Sequence, residues 1–354
     1  MRLLHTADLH LGRGGQRSVA ALDALLDAAE REGVDALTVG GDCFDSAAAA
    51  DELRPELRER FTDNPFDVLV VPGNHDVAAF RENVEFGPDF RVLSADPFEV
   101  AEVDGGEVVG VPYRERLGDD TFFELRERAH EDAVLCLHCT LDAGFGAGAT
   151  GSEEAPSYCP VQTETLGELG YEFVLAGHVH AELYQRKLPN GGLFIYPGSP
   201  VSHSWAETGR RHAVVVDTDD ANVQPVALDT YYRDRFEATV TPGEGYEVID
   251  RVEGWVDGQD TDRSDLEVRV DGFTELDEST FDERLHAAAG PATVVNETRG
   301  VAAVLDHPIY ADFVDHLDDL DLDRWERVDD REDVERRLVE TLAELLAAGE
   351  VTHA

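Results

Sequence analysis

Short, largely apolar runs that end in small clusters of glycine and polar residues organise the first half of this chain and much of its middle. They lie at 3–4, 36–39, 68–71, 108–111, 133–137, 173–176, 193–196 and 213–216. Runs of this length, bounded by turn residues, are too short for helices and predict strands. Between the first two, Leu22, Leu25, Leu26 and Ala29 recur at helical spacing and predict a helix over 19–31. Strand and helix in alternation predict an α/β fold built in layers. Apolar runs alone do not separate parallel from antiparallel pairing. A glycine- and alanine-rich stretch at 142–160 predicts a long surface loop, of the kind compact domains keep for function or mobility.

The polar clusters that follow these runs carry the chemistry. Asp8-Leu9-His10, Gly41-Asp42, Gly73-Asn74-His75-Asp76, His138 and Gly177-His178-Val179-His180 each sit just past the C-terminal end of a predicted strand. That edge of an open α/β sheet is where ligands bind. Oxygen and imidazole donors suit hard or borderline divalent cations. Asp-x-His and His-x-His in extended backbone would put both members on one face, so that each pair grips one site. Seven donors (Asp8, His10, Asp42, Asn74, His138, His178 and His180) exceed what one tetrahedral ion uses. Two cations share them if Asp42 bridges. Two divalent charges against two carboxylates leave the centre positive, which attracts a phosphate and favours a nucleophile at neutral pH. Asn74 brings a neutral oxygen where a third carboxylate would cancel that charge. Each cluster alone is a weak signal; all five in order are a strong one.

On these residues the chain resembles the calcineurin-like metallophosphoesterases. Leu4-His5-Thr6-Ala7-Asp8-Leu9-His10-Leu11-Gly12, Gly41-Asp42-Cys43-Phe44-Asp45, Gly73-Asn74-His75-Asp76 and Tyr196-Pro197-Gly198-Ser199-Pro200 are similar to the SbcD-type DNA repair exonuclease branch and its archaeal and eukaryotic relatives. The resemblance covers roughly residues 1–205 and implies a metallophosphoesterase β-sandwich flanked by helices. It implies that Asp8, His10, Asp42 and His180 hold one ion, and Asp42, Asn74, His138 and His178 the other. Manganese is the family's usual ion, with magnesium the alternative. His75 is then no ligand but a contact to the developing charge or a general acid. Asp45 resembles the acid that orients this histidine; its other reading is a cap on the helix that follows. Some archaeal relatives carry a histidine at the position of Asp45, so the chain departs from them there. The branch further implies DNA as substrate, a homodimer and a coiled-coil SbcC-type ATPase as partner.

The expected domains are a catalytic unit at 1–230, a capping unit at 231–300 and C-terminal helices at 301–354 that serve as a docking segment. The capping unit is predicted as α+β: strands at 236–240, 266–270 and 292–295, helices at 245–252 and 279–289. Amphipathic helices follow at 308–320 and 334–346.

Composition narrows the setting. The chain has 354 residues with 76 acidic against 29 basic side chains, a formal charge of −47, and Lys187 as its sole lysine. Carboxylates in such number repel one another in dilute buffer, whereas molar salt shortens the Debye length to about 3 Å. That predicts a halophile's cytoplasm. No basic patch marks a nucleic-acid surface, but at molar salt counterion release contributes little to binding, so a basic groove is not required for DNA. The N-terminus lacks the apolar core of a signal peptide, and no run is long enough to span a membrane. Cys43, Cys136, Cys139 and Cys159 read as reduced, buried residues rather than a zinc site. Besides the DNA nuclease, two other functions use the same fold: a phosphatase or phosphodiesterase acting on nucleotides or phosphoproteins, and a non-catalytic scaffold protein.

Overall fold

In a computed structural model, the structure describes residues 1–80, 84–142, 158–181 and 183–300, with isolated positions at 312, 316, 337, 341, 344 and 345. The chain divides into two units, Met1–Arg233 and Asp234–Ala354.

The first unit runs β1 (Arg2–Thr6), α1 (Gln16–Glu32), β2 (Ala36–Val39), α2 (Ala47–Arg60), β3 (Asp67–Val70), β4 (Phe90–Val92), β5 (Glu99–Val103), β6 (Gly106–Val111), α3 (Asp119–Arg128) and β7 (Ala133–His138). It continues through the short pair β8 (Thr140–Leu141) and β9 (Pro160–Val161), then α4 (Thr163–Leu169), β10 (Phe173–Gly177), β11 (Tyr184–Lys187), β12 (Leu193–Tyr196), β13 (His212–Asp217) and β14 (Asn222–Ala227). Two six-stranded sheets result, ordered β14-β13-β1-β2-β3-β4 and β11-β12-β10-β7-β6-β5. Both are mixed. β1, β2, β3 and β4 pair in parallel, as do β6, β7, β10 and β12, while β13, β14, β5 and β11 join antiparallel.

Side-chain alternation assembles the layers. Leu3, Val214, Val216, Val134, Phe173, Leu175 and Ile195 share one buried cluster to which both sheets contribute. Their sequence neighbours face outward: Leu4, Val68 and Val215 pack with Leu22, Leu25 and Leu57 of α1 and α2. Leu135, Val174 and Phe194 pack with Leu125 and Leu166 of α3 and α4. Strands buried on both faces read as nearly continuous apolar runs, which is why they stand out in the sequence. The fold is thus a β-sandwich flanked by helices.

His5 crosses the sandwich. Its Nδ1 lies 3.0 Å from Thr38 Oγ1 and its Nε2 3.2 Å from the carbonyl oxygen of Ala176, tying β1 and β2 to β10. Burial lowers its pKa to about 4, although both partners oppose that shift. The unfolded chain, titrating near 6.5, therefore binds the extra proton first as pH falls. Stability on the order of 3 kcal/mol should be lost between pH 6.5 and 4. Urea unfolding in molar salt at pH 7 and 4.5 should show a steeper loss in wild type than in His5→Gln; equal slopes would remove His5 as the cause.

In the second unit β15 (Tyr232–Val240), α5 (Gly245–Asp257), β16 (Ser264–Thr274), α6 (Glu278–Ala289) and β17 (Thr293–Gly300) build a three-stranded sheet, β15-β16-β17. α5 and α6 place Val248, Val252, Phe281 and Leu285 in a cluster with Val240, Val268 and Val270. Among the described residues no helix is long and apolar enough to cross a membrane. All four cysteines are buried and free. The helices expected at 308–320 and 334–346 lie outside the described residues, save for the isolated positions, each of which is helical. Most of the loop expected at 142–160 lies outside them too.

Candidate metal centre

Parallel strands point their C-terminal ends the same way, so the loops after β1, β2 and β3 of one sheet meet those after β7 and β10 of the other. Backbone bonds stitch them together: Asp8 N–H donates to Gly41 O at 3.0 Å and His10 N–H to Asp42 O at 2.9 Å. Asp76, fully buried, accepts from Gly73 N–H at 2.7 Å and from Phe44 N–H at 3.1 Å. It clamps the Asn74 loop to the Asp42 loop. Burial, then the nearby Asp42 charge, raises its pKa to about 7.

The backbone differs from the extended Asp-x-His and His-x-His expected above. Asp8, His10, Asp42 and His178 all have positive φ, at 57°, 45°, 49° and 104°. Non-glycine residues adopt this region at a cost, and sites of function are where such strain collects. The tight loops leave no room for side chains at their glycines. A Cβ on Gly41 would lie 2.1 Å from His138 Nδ1, and one on Gly73 2.2 Å from Asp42 Oδ1.

Among the described residues, three groups of donors come within 4.8 Å of one another: Asp8 with His10 and His180, Asp8 with Asp42 and His138, and His10 with Asp45 and His75. Asp8 accepts from His178 N–H at 3.1 and 3.0 Å through its two oxygens. Its Oδ1 is also 3.8 Å from His180 Nε2. Asp42 Oδ1 accepts from His75 N–H at 2.9 Å, while Oδ2 lies 3.4 Å from His138 Nε2 and 3.9 Å from His10 Nε2. His138 Nδ1 is 2.9 Å from Gly40 O, and its Nε2 is 2.9 Å from Asn74 Oδ1. His178 joins none of these groups; its ring stands 5.2 Å from that of His138 and 5.4 Å from that of Tyr158. Extended backbone would have sent His178 and His180 to one face, but the turn at His178 separates them.

The donor set fits divalent cations. His10 Nε2 and His180 Nε2 lie 3.3 Å apart, and buried His10 Nδ1 and Asp42 Oδ2 have no hydrogen-bond partner. Buried polar atoms are normally satisfied, so converging lone pairs of this kind call for positive charge. The surroundings of His138 likewise favour positive charge: burial would lower its pKa, but the Asp42 charge and contact prevail and raise it to about 10. For Asp42 too burial is outweighed, by His138 and His10, and its carboxyl stays well below the usual range.

Asp45 lies beside both His75 and His10. Its backbone oxygen lies 3.3 Å from His75 Nδ1, and its carboxylate is 3.6 Å from His10 Nδ1 and 3.8 Å from Arg13 Nε. It does not cap α2; Ser46 does, accepting from Ala49 N–H.

Two residues around His180 escaped the sequence reading. Glu207 is fully buried with its Oε1 3.3 Å from His180 Nδ1. Burial opposes its ionisation, but the bond to His180 and its charge outweigh this and hold its pKa at about 2. His203 sets its ring 5.3 Å from that of His10, with Nε2 buried and unpaired. Neither follows an apolar run, and one glutamate among 76 acidic residues carries no signal.

Residues 1–182 match the family described as calcineurin-like phosphoesterase. The chain is 28% identical to SbcD of the nuclease SbcCD of Bacillus subtilis over 326 residues, 78% of this chain and 81% of that one. It is 38% identical to SbcD of the nuclease SbcCD of Escherichia coli over 94 residues, 23% of each. It is 26% identical to the uncharacterized metallophosphoesterase YhaO of B. subtilis over 250 residues, 63% of this chain, and spans only 59% of that protein. Among solved structures, a dimetal phosphatase from Danio rerio aligns with a TM-score of 0.37 at 14% identity, covering 61% of this chain and 91% of that one.

Proposed function

The chain belongs to the calcineurin-like phosphoesterase family, and on that premise we propose that it is a metal-dependent DNA phosphodiesterase, the nuclease component of an SbcCD-like repair complex. The observation that carries this reading is the convergence of buried donors from both sheets on two overlapping groups, Asp8–His10–His180 and Asp8–Asp42–His138. Similarity to SbcD of two SbcCD nucleases supports DNA as the substrate.

In this reading Asp8, His10, Asp42 and His180 hold one cation, Asp42, Asn74, His138 and His178 the other, with manganese the working ion and magnesium its substitute. Such a pair supplies neutralisation of phosphate charge and activation of water. The chain does the rest. Gly40 fixes His138 by accepting its Nδ1 proton, leaving Nε2 toward Asp42 and Asn74. His75 is held by its backbone to Asp42 and by Nδ1 to the Asp45 carbonyl, and its imidazole serves the phosphate or the leaving oxygen. The catalytic unit is 1–230, a separate α+β domain is 231–300, and 301–354 docks a coiled-coil SbcC-type ATPase. The protein acts as a homodimer in the cytoplasm.

The full chain should cut linear or hairpin DNA with manganese in molar potassium chloride, and chelation should stop it. Turnover of nucleotides or phosphoproteins without DNA cleavage would make it a phosphatase; turnover of neither would make it a scaffold. The charge of −47 fits concentrated salt. Its melting temperature should therefore rise as potassium chloride is raised from dilute to molar; a flat profile would overturn the halophilic reading.

A further inference from the structure

The two histidines that end the donor groups are anchored differently. His138 Nδ1 meets a neutral acceptor, the Gly40 carbonyl, whereas His180 Nδ1 meets a buried carboxylate, Glu207. Glu207 is itself rigidly placed. Its Oε1 also accepts from Ser204 Oγ at 3.1 Å, its Oε2 accepts from Ser199 Oγ at 3.1 Å and from His203 N–H at 2.7 Å, and its own carbonyl accepts from Ser202 Oγ at 2.6 Å. Arg211, also buried, holds the backbone of the same loops, donating to the carbonyls of His180 at 2.6 Å and Ser199 at 2.9 Å. Neither the ring of His180 nor the carboxylate has slack. A carboxylate on the far nitrogen of a ligating histidine fixes its tautomer and raises the basicity of the near one.

We infer that Glu207 is a positioning residue that locks His180 with Nδ1 protonated and Nε2 toward Asp8 and His10, making that end of the centre the tighter of two cation sites. The inference rests on the dinuclear reading above. It explains why the segment after Gly198 is so rich in serine: three hydroxyls saturate Glu207 and its carbonyl, leaving Oε1 directed at His180.

The test is manganese titration of the full-length protein by calorimetry in molar potassium chloride, which screens exposed carboxylates. Wild type should take up two ions with distinct affinities. In Glu207→Gln the tighter site should weaken by about 10–100-fold, with the weaker site unchanged. Equal affinities in variant and wild type, or equal losses at both sites, would overturn the assignment while leaving two cations in place. No uptake by wild type would instead bring down the dinuclear reading, and this inference with it. A wild-type readout covers a variant that does not fold: in ¹⁵N-labelled protein loaded with diamagnetic zinc, His180 should carry its proton on Nδ1. A proton on Nε2 refutes the role of Glu207.

Discussion

Replacing Asp42 by Ala should strip both cations from the centre and lower turnover by more than about 10²-fold, the loss that removing a mere supporting partner of a ligand already brings. Asp8 also reaches both donor groups, so the choice between the two carboxylates is decided by which nitrogen each faces. Asp8 Oδ1 approaches His138 from the Nδ1 side at 4.0 Å, and that nitrogen is already bonded to Gly40. Asp42 Oδ2 approaches His138 Nε2, which also meets Asn74 Oδ1, at 3.4 Å, and His10 Nε2 at 3.9 Å. Asp42 Oδ2 thus faces an Nε2 atom from each group, that of His138 and that of His10. Metal analysis of the dialysed Asp42→Ala protein is the check: one ion retained at full occupancy would mean that Asp42 serves one site alone.

His75→Asn should keep both metals and lose turnover by roughly 10²-fold or more, the range of a positioned general acid. The motivation is its anchoring. Backbone and Nδ1 are both committed, to Asp42 Oδ1 and to the Asp45 carbonyl, and its ring meets that of His10 edge-on at 4.9 Å. Asparagine retains the backbone bond to Asp42, so the metal complement should not change. Turnover equal to wild type refutes the role; loss of metal along with turnover makes His75 a support of the centre instead.

The inner strands were readable in the residues and the edges were not. Every run read as a strand in the first unit falls on β13, β1, β2, β3, β12, β10, β7 or β6, which have sheet neighbours on both sides. The four edges, β14, β4, β11 and β5, went unread. β11 alternates half-buried and exposed residues, and β14 carries Pro225 and is mostly exposed. A strand that faces water need not be apolar. α2 was missed for a related reason: it buries only Ala50 and Leu57 and has Pro55 in its interior, so it lacks a stripe.

By itself, then, the sequence determined where the backbone must be buried on both sides and which polar clusters end those segments, because burial on two faces forces apolar residues at consecutive positions whatever surrounds them. Only the tertiary structure decided the pairing directions, the left-handed turns that send His178 beside His138 and His180 beside Asp8, the use of Asp45 through its carbonyl, and the presence of Glu207 behind His180. Those depend on distances between loops far apart in the chain. In a chain this acidic, the buried carboxylate on His180 Nδ1 is chemically identical to the other glutamates in the sequence and distinguished solely by what surrounds it.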